Sequence, residues 1–354
     1  MPDAIIIGAG IIGSSIAWRL SQAGAAVTLL DAGTLGGEAS WAGAGMLAPG
    51  GEIAGRTAWT EFALESLALY PAFVQELETE SRVGIDYRRC GAMELACTET
   101  EWQALRDRRA VQEDLGIRAE TIDGGLFYPD DALVDPRDVT RALRRACEKR
   151  GVRICEQTRA LEARVAGDRV DIETSGGALS AGAVVLAAGA WSGAIPVVRG
   201  GELLKIPASF PVRGHLLGYR LEPGSLGPIL RRGHTYVMQR SNGFTIAGTS
   251  SEQVGFNREL DPQIVSDIHA RACELLPRLR SAPEPEAWLG FRPATEDFEP
   301  RIGRLDDTRL WLAYGHYRNG ILLAPATAAR VSAEIAGLSP SSSGTVPAAP
   351  DAPR

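Results

Sequence analysis

Four short, mostly apolar runs lie far apart along the chain, at residues 4–7, 27–30, 183–187 and 309–313. Strands of a parallel sheet are covered on both faces, so they are apolar without alternation. The pattern therefore predicts one parallel sheet assembled from distant parts of the chain. The long intervals between the runs leave room for a second domain inserted into the first.

Apolar positions at helical spacing predict helices between and after these strands. Ile12, Ile16 and Leu20 share one face of a helix that follows the first strand and ends at Gly24. Asp135 suits the N-cap of a later helix, because its side chain can accept a backbone hydrogen bond there. Further helices are predicted at residues 60–81, 99–115, 136–150 and 261–276, and from residue 320 to about residue 336.

Residues 206–250 show a different pattern, in which apolar and polar positions alternate between Gly and Pro breaks. Alternation is typical of strands with one buried face, so this block predicts a separate antiparallel sheet. The expected fold class is α/β (α+β overall), a Rossmann-like domain interrupted by an antiparallel-sheet domain. We assign residues 1–85, 136–200 and 301–338 to the first domain, 86–135 and 201–300 to the second, and 339–354 to a disordered tail.

Composition and charge restrict the possible partners. The 354 residues carry a formal net charge of -7, which argues against a nucleic-acid partner. The 5 cysteines are odd in number without C-x-x-C spacing, and the 4 histidines do not cluster, so we expect neither disulfides nor a metal site. No apolar run is long enough to span a bilayer and no signal-peptide pattern is present, so we expect a cytoplasmic protein without a membrane partner.

A glycine-rich turn follows the first predicted strand. Gly8, Gly10 and Gly13 fit the pattern G-x-G-x-x-G, and Asp31 ends the second strand. Together they provide the strand, helix and acidic residue that a dinucleotide-binding fingerprint requires. Gly8 permits the tight turn, Gly10 lets the backbone approach a pyrophosphate at the helix N-terminus, and Gly13 lets helix and strand pack closely. Asp31 can accept hydrogen bonds from a ribose.

The fingerprint itself does not distinguish FAD from NAD, but two later segments favour FAD. Residues 36–37 and 42–46 form a second Gly- and Ala-rich stretch, which a ligand extending past the pyrophosphate needs. The last strand leads through Gly315 and Gly320 into a helix whose positive end can face the flavin ring. No cysteine lies near that segment, so the FAD is expected to be non-covalent.

Six segments resemble, in order, the D-amino-acid oxidase superfamily of FAD-dependent oxidoreductases, and within it the glycine oxidases of thiamine biosynthesis. They are residues 8–13, 44–47, 185–192, 211–214, 290–295 and 315–326. The segment His-Tyr-Arg-Asn-Gly-Ile-Leu-Leu-Ala-Pro-Ala-Thr at 316–327 is typical of glycine oxidases in particular. The resemblance covers about residues 4–337.

The resemblance implies roles for individual residues. Arg292 corresponds to the arginine that binds the substrate carboxylate, Tyr236 to a tyrosine that assists it, and Arg318 to a substrate contact near the flavin. The backbone of Ala160 is expected at the adenine and residues 316–322 at the isoalloxazine. The implied FAD contacts are Gly8, Gly10, Ile11, Ile12, Gly13, Asp31, Ala32, Ala39, Ser40, Ala44, Gly45, Met46, Ala160, His316, Tyr317, Arg318, Asn319, Gly320, Ile321 and Leu322.

Three places depart from the family pattern. Ala39 replaces a hydroxyl residue, Ser250 and Ser251 stand where a methionine over the pocket is expected, and His215 stands where an acid or amide is usual. These departures predict a pocket that is more polar or larger than one built for glycine.

The expected function is the oxidative deamination of glycine or a small amino acid. A hydride passes from the substrate Cα to flavin N5, the imine yields a 2-oxo acid and ammonia, and O2 is reduced to H2O2. Alternatives are an oxidase for a D-amino acid or an N-methyl amino acid, and a flavin-dependent dehydrogenase with another electron acceptor. An NAD-dependent dehydrogenase and a non-catalytic nucleotide-binding protein have little support. The resemblance also leaves a homo-oligomer open.

Overall fold

The computed structural model describes residues 2–338, so the predicted disordered tail lies outside the described residues. Short 3-10 helices occupy Pro49–Gly51, Gly189–Ala194 and Pro277–Ser281. The α-helices in chain order, α1 to α7, are Ile11–Gln22, Ala39–Ala42, Ala58–Ser81, Glu99–Glu113, Pro136–Lys149, Pro262–Leu275 and Gly320–Leu338. None of the helices in this part of the chain is both long enough and apolar enough to cross a membrane.

A six-stranded sheet draws its strands from both ends of the chain. Only its edge strand Arg301–Arg304 is antiparallel to its neighbour, so the predicted parallel sheet is confirmed. In spatial order the strands are Arg301–Arg304, Leu310–Tyr314, Ala183–Leu186, Ala4–Ile7, Val27–Leu30 and Arg153–Cys155.

The two faces of this sheet pack against different kinds of secondary structure. On one face, Ile6 and Leu29 pack against α1, α3, α5 and α7, as the helix pattern predicts. On the other face, Ile5 and Val184 pack against a five-stranded sheet rather than against helices. That sheet has the order Gly177–Ala181, Arg169–Thr174, Ala160–Ala166, Val197–Arg199 and Glu202–Leu203. Burial on both faces explains why the central strands are apolar throughout.

An eight-stranded sheet contains the block at 206–250, and its strands from that block are joined antiparallel, as predicted. Its strands in spatial order are Glu286–Ala294, Phe210–Arg220, Phe244–Gly248, Thr235–Gln239, Ile229–Arg232, Ala92–Leu95, Gly125–Tyr128 and Glu120–Ile122. Helix α6 covers one face through Ile268, which packs with Leu217 and Val237. The other face packs on Ala42 and Ala44 of the segment that follows Asp31.

The apolar pattern did not predict several of the strands. Met46–Leu47, Ala132–Val134 and Tyr87–Arg88 form a small three-stranded sheet, and Glu286–Ala294 contains both Gly290 and Pro293, which rarely occur inside strands. Pro293 is tolerated because Glu286–Ala294 is the edge strand of its sheet. The division of the chain into domains at the boundaries given above stays a prediction.

Candidate active site

A continuous cavity of about 980 Å³ lies between the six-stranded sheet and the eight-stranded sheet. Its wall includes the glycine turn, the loop after Asp31, the C-terminal turn before α7, and the sheet residues Tyr236 and Arg292. Every residue assigned to FAD or substrate from the sequence lines it except Gly13 and Leu322. The fold thus brings segments from both ends of the chain to a single space.

The glycine turn packs without side chains because backbone atoms fill the space around it. Gly8 has a φ of +104°, and a Cβ there would overlap the backbone at Ala187. A Cβ on Gly13 would overlap the carbonyl oxygen of Gly8, so Gly13 allows close packing of α1 and does not line the cavity. This agrees with the packing role that the fingerprint gives to Gly13, and a direct contact of Gly13 with FAD stays a prediction.

The N-terminus of α1 and the end of the second strand provide polar groups for a dinucleotide. Ser40 Oγ accepts a hydrogen bond of 2.9 Å from the N–H of Ile11, while other N–H groups of the first turn have no partner within the helix. Asp31 accepts hydrogen bonds from the N–H groups of Ala9 at 2.8 Å and Gly33 at 2.7 Å. Burial raises the pKa of Asp31, and these two hydrogen bonds lower it by a smaller amount. Each carboxylate oxygen retains a lone pair for a ribose hydroxyl.

The C-terminal turn carries the residues expected beside the flavin ring. Gly315 has a φ of +80° and Tyr317 a φ of +48°, and α7 begins at Gly320 with its positive end in the cavity wall. Leu322 lies one residue beyond the lining residue Ile321 and is 1% exposed, packed in the core with α1 and α3. Its contact with the flavin ring, which the resemblance implies, stays a prediction.

His316 is buried beside this turn, and its Nε2 lies 3.1 Å from Thr327 Oγ1. Burial lowers the pKa of His316 to about 3, so the ring is neutral when the protein is folded near pH 7. In the unfolded chain a histidine has a pKa of about 6.5. Between these two values only the unfolded chain takes up the proton, so the free energy of unfolding falls as the pH drops from about 6.5 toward 3.

We expect the free energy of unfolding to fall by about 2 kcal/mol between pH 6.5 and pH 4.5 because of His316 alone. Replacing His316 with glutamine removes the titration while keeping a polar group near Thr327. Urea unfolding of both proteins at several pH values measures the difference. Parallel pH profiles for the wild type and His316→Gln would contradict this origin of acid sensitivity.

The register of the eight-stranded sheet places the substrate-side residues on its cavity face. Tyr236 lies opposite Gly248, and Gly214 opposite Gly290, two residues before Arg292. A Cβ on Gly214 would overlap the Arg292 guanidinium, and a Cβ on Gly248 would approach the Tyr236 hydroxyl to 2.6 Å. Glycine at these two positions therefore lets both polar groups lie flat across the sheet.

The guanidinium of Arg292 is held by neutral acceptors only. Nη1 donates to the carbonyl of Ser250 at 3.0 Å and more weakly to that of Arg213 at 3.4 Å, and Nη2 donates to Thr249 Oγ1 at 2.7 Å. Within residues 2–338 the guanidinium forms no ion pair, and desolvation lowers its pKa. The Nε–H and one Nη2–H remain available as donors, and a carboxylate can accept a hydrogen bond from each.

Two further groups converge on the same place. Burial raises the pKa of Tyr236 to about 12, with opposing effects of the charges on Arg292 and Arg318, so its hydroxyl is a neutral donor. The Nε of Arg318 is buried and has no hydrogen-bond partner among the described residues. The arrangement therefore offers two cations and a hydroxyl to a small anion.

The cavity wall also includes charged residues that the sequence did not indicate. Glu52 Oε2 accepts a hydrogen bond of 3.2 Å from Asn319 Nδ2. Arg231 lies opposite Tyr236 in the sheet and pairs with Glu94 at 3.0 Å and Asp131 at 3.2 Å. The only sequence signal for Arg231 is its place in an alternating strand, which does not reveal the distant acids.

The three departures from the family pattern lie at different depths. Ala39 lines the cavity, and the hydroxyl of its neighbour Ser40 binds the backbone of α1. His215, Ser250 and Ser251 do not line the cavity, and the more polar or larger pocket stays a prediction. Across residues 2–338, no group of three or more His, Cys, Asp and Glu side chains is placed to bind a metal.

Comparisons with known proteins agree with this geometry. The glycine oxidase of Bacillus subtilis (strain 168) is 33% identical over 342 residues, covering 93% of this chain and 92% of that protein. The bifunctional protein ThiO/ThiG of Synechocystis sp. is 36% identical over 346 residues, covering 93% of this chain and 51% of that protein. The crystal structure of glycine oxidase from Geobacillus kaustophilus superposes with a TM-score of 0.88 at 30% identity, covering 94% of each chain.

The family model of the FAD dependent oxidoreductases (DAO) matches residues 3–334, nearly all of the chain that the structure describes. The cofactor of this family is FAD, which fits the glycine turn, the acid at the second strand and the length of the cavity. The chain therefore belongs to the DAO family of FAD-dependent oxidoreductases and is an FAD-dependent oxidase.

Proposed function

We propose that the chain catalyses the oxidative deamination of glycine or a similarly small amino acid, with O2 as the electron acceptor. The observation that carries the proposal is the part-buried guanidinium of Arg292, which has no ion pair within residues 2–338 and shares one cavity with the FAD-binding turns. A partly desolvated charge of this kind favours an anionic partner. The carboxylate of an amino acid supplies one.

The residues of the cavity wall fit FAD as the resident cofactor. Gly8, Gly10 and the N-terminus of α1 would hold the pyrophosphate, Asp31 the ribose, and the turn before α7 the isoalloxazine. Once bound, the flavin supplies an acceptor for the hydride that leaves the substrate Cα. The side chains then have to bind, orient and desolvate the amino acid.

Each polar side chain has a defined task in that reaction. Arg292 binds the substrate carboxylate through Nε and Nη2, and the neutral Tyr236 hydroxyl donates a further hydrogen bond. The positive charges of Arg292 and Arg318 lower the pKa of a nearby ammonium group. They therefore favour the neutral amine, whose lone pair stabilises the iminium that forms when the hydride leaves.

For glycine the balanced reaction consumes O2 and water and releases glyoxylate, ammonia and H2O2. The relatives named glycine oxidase support this choice of substrate. The ThiO/ThiG relatives support a role in thiamine biosynthesis, which we include in the proposal.

A substrate panel with peroxide detection tests the substrate and the acceptor together. We expect H2O2 from glycine in air, with sarcosine and D-alanine as weaker substrates, and equal amounts of glyoxylate and H2O2 when glycine is used. A tenfold or greater preference for D-alanine or sarcosine would replace glycine as the substrate. Turnover only with an added dye or quinone, and no peroxide, would instead indicate a dehydrogenase.

A further inference from the structure

A cluster of buried and part-buried polar side chains lies directly behind Arg292, outside the cavity wall. It consists of Arg213, His215, Ser250 and Glu252, which we term the backing cluster. His215 is 0% exposed and Arg213 6% exposed. Neither the binding of FAD nor the reaction at the substrate Cα uses these groups, so their burial needs another explanation.

The carboxylate of Glu252 is the centre of the cluster. Its Oε1 accepts hydrogen bonds from Ser250 Oγ at 2.6 Å and from His215 Nδ1 at 2.9 Å. Its Oε2 accepts a hydrogen bond of 3.0 Å from Arg213 Nε and another from Arg213 Nη2. Burial alone would raise the pKa of Glu252, but the bonds from Ser250 and Arg213 hold it below its usual value. The carboxylate is therefore ionised and uses both oxygens.

The orientation of the His215 ring follows from its second nitrogen. Nε2 accepts a hydrogen bond of 3.1 Å from the N–H of Asp261, so in this geometry the ring proton lies on Nδ1 and points at Glu252. Arg213 Nη1 also donates to the carbonyl of Glu259 at 3.0 Å. The cluster thus ties the segment 249–261 to the strand Phe210–Arg220.

The same two segments supply the hydrogen-bond acceptors that hold Arg292. The carbonyls of Ser250 and Arg213 accept from Arg292 Nη1, and Thr249 Oγ1 accepts from Nη2 while donating to the carbonyl of His215 at 3.0 Å. Ser250 Oγ also accepts from the N–H of His215 at 2.9 Å. Each residue that binds Arg292 is therefore fixed on its other side by Glu252 or His215.

We propose that Glu252, with His215 and Arg213, is a positioning group that sets the orientation of the Arg292 guanidinium toward the substrate carboxylate. A guanidinium held on one edge by three fixed acceptors presents its Nε and Nη2 edge in one direction. Without the cluster, residues 249–252 are free to move and Arg292 with them. The inference rests on the proposed function, in which Arg292 binds a carboxylate.

The test uses the FAD-loaded enzyme and acetate, a carboxylate with no amine to oxidise. Acetate is titrated while the flavin absorption spectrum is followed, and glycine kinetics are measured in parallel. In Glu252→Gln we expect the Kd for acetate and the KM for glycine to rise about tenfold, with kcat changed less than about threefold. Ser250→Ala, which removes only one hydroxyl, should raise both constants by about threefold.

Glu80→Gln is the matched control, because Glu80 also accepts several hydrogen bonds, from Arg150, Trp18 and Gln22, but lies outside the cavity wall. It should lower the melting temperature without changing either constant. Wild-type affinity for acetate in both Glu252→Gln and Ser250→Ala would overturn the inference, and Ser250→Ala alone decides if Glu252→Gln does not fold. A wild type that binds no acetate would instead contradict the proposed carboxylate site itself.

Discussion

Replacing Arg292 with lysine should lower kcat/KM for glycine by about 100-fold while leaving FAD bound. Lysine keeps the charge, but its single ammonium cannot donate to Ser250, Thr249 and a substrate carboxylate in the fixed directions that the guanidinium uses. Removing one partner of a buried, hydrogen-bonded charge pair typically costs about 2–5 kcal/mol. Steady-state kinetics with glycine and the flavin spectrum of the purified variant measure both parts of the prediction.

The control for this prediction is Arg240→Lys. Arg240 is an arginine buried more deeply than Arg292, at 4% exposed, and it adjoins the strand Thr235–Gln239. It pairs with Asp135 at 2.9 Å and does not line the cavity. Its replacement should reduce stability without changing KM. If Arg292→Lys keeps the wild-type kcat/KM, the carboxylate is bound elsewhere, and Arg318 becomes the next arginine to replace.

Replacing Gly45 with alanine should strip FAD from the protein and lower the free energy of unfolding by about 3 kcal/mol. Gly45 has a φ of +96°, which side chains rarely adopt, and a Cβ there would overlap the carbonyl oxygen of Val134. The Gly45 carbonyl also accepts a hydrogen bond of 2.9 Å from the N–H of Val134. Relief of the overlap must move Ala44 and Met46, which line the cavity.

Gly55→Ala is the corresponding control, since Gly55 has no atoms within 4 Å of an added Cβ and no positive φ. It should keep its FAD and change stability by less than about 0.5 kcal/mol. The ratio of flavin to protein absorbance after purification, followed by urea unfolding, compares the two variants. A Gly45→Ala protein that retains FAD at the wild-type ratio would show that the loop does not depend on this close approach.

The features that sequence could predict are local ones. The strands Ala4–Ile7 and Val27–Leu30 and the glycine turn between them follow from apolar runs and from residues within a single βαβ unit. Pro136–Lys149 begins where Asp135 and Pro136 predict, because the Asp135 side chain accepts the N–H of Arg137 at 2.9 Å. These elements need no knowledge of distant parts of the chain.

The features that sequence could not predict depend on contacts between distant segments. One example is the five-stranded sheet that packs on the parallel sheet. Others are the ion pair of Arg231 with Glu94 and the hydrogen bonds of Arg292, which also join residues far apart in the chain. His215 and Ser250 were expected to alter the pocket, yet they bind Glu252 behind it. Whether a polar side chain faces the cavity or another side chain is decided by tertiary packing alone.

Anaerobic mixing of the purified FAD-bound protein with glycine tests the central proposal most directly. Hydride transfer from glycine should bleach the flavin absorption near 450 nm (about the usual position for oxidised flavin) in a single turnover, and Arg292→Lys should slow that bleaching at low glycine concentration. Readmission of air should restore the spectrum and release H2O2. A flavin that remains oxidised under saturating glycine, sarcosine and D-alanine would contradict the account.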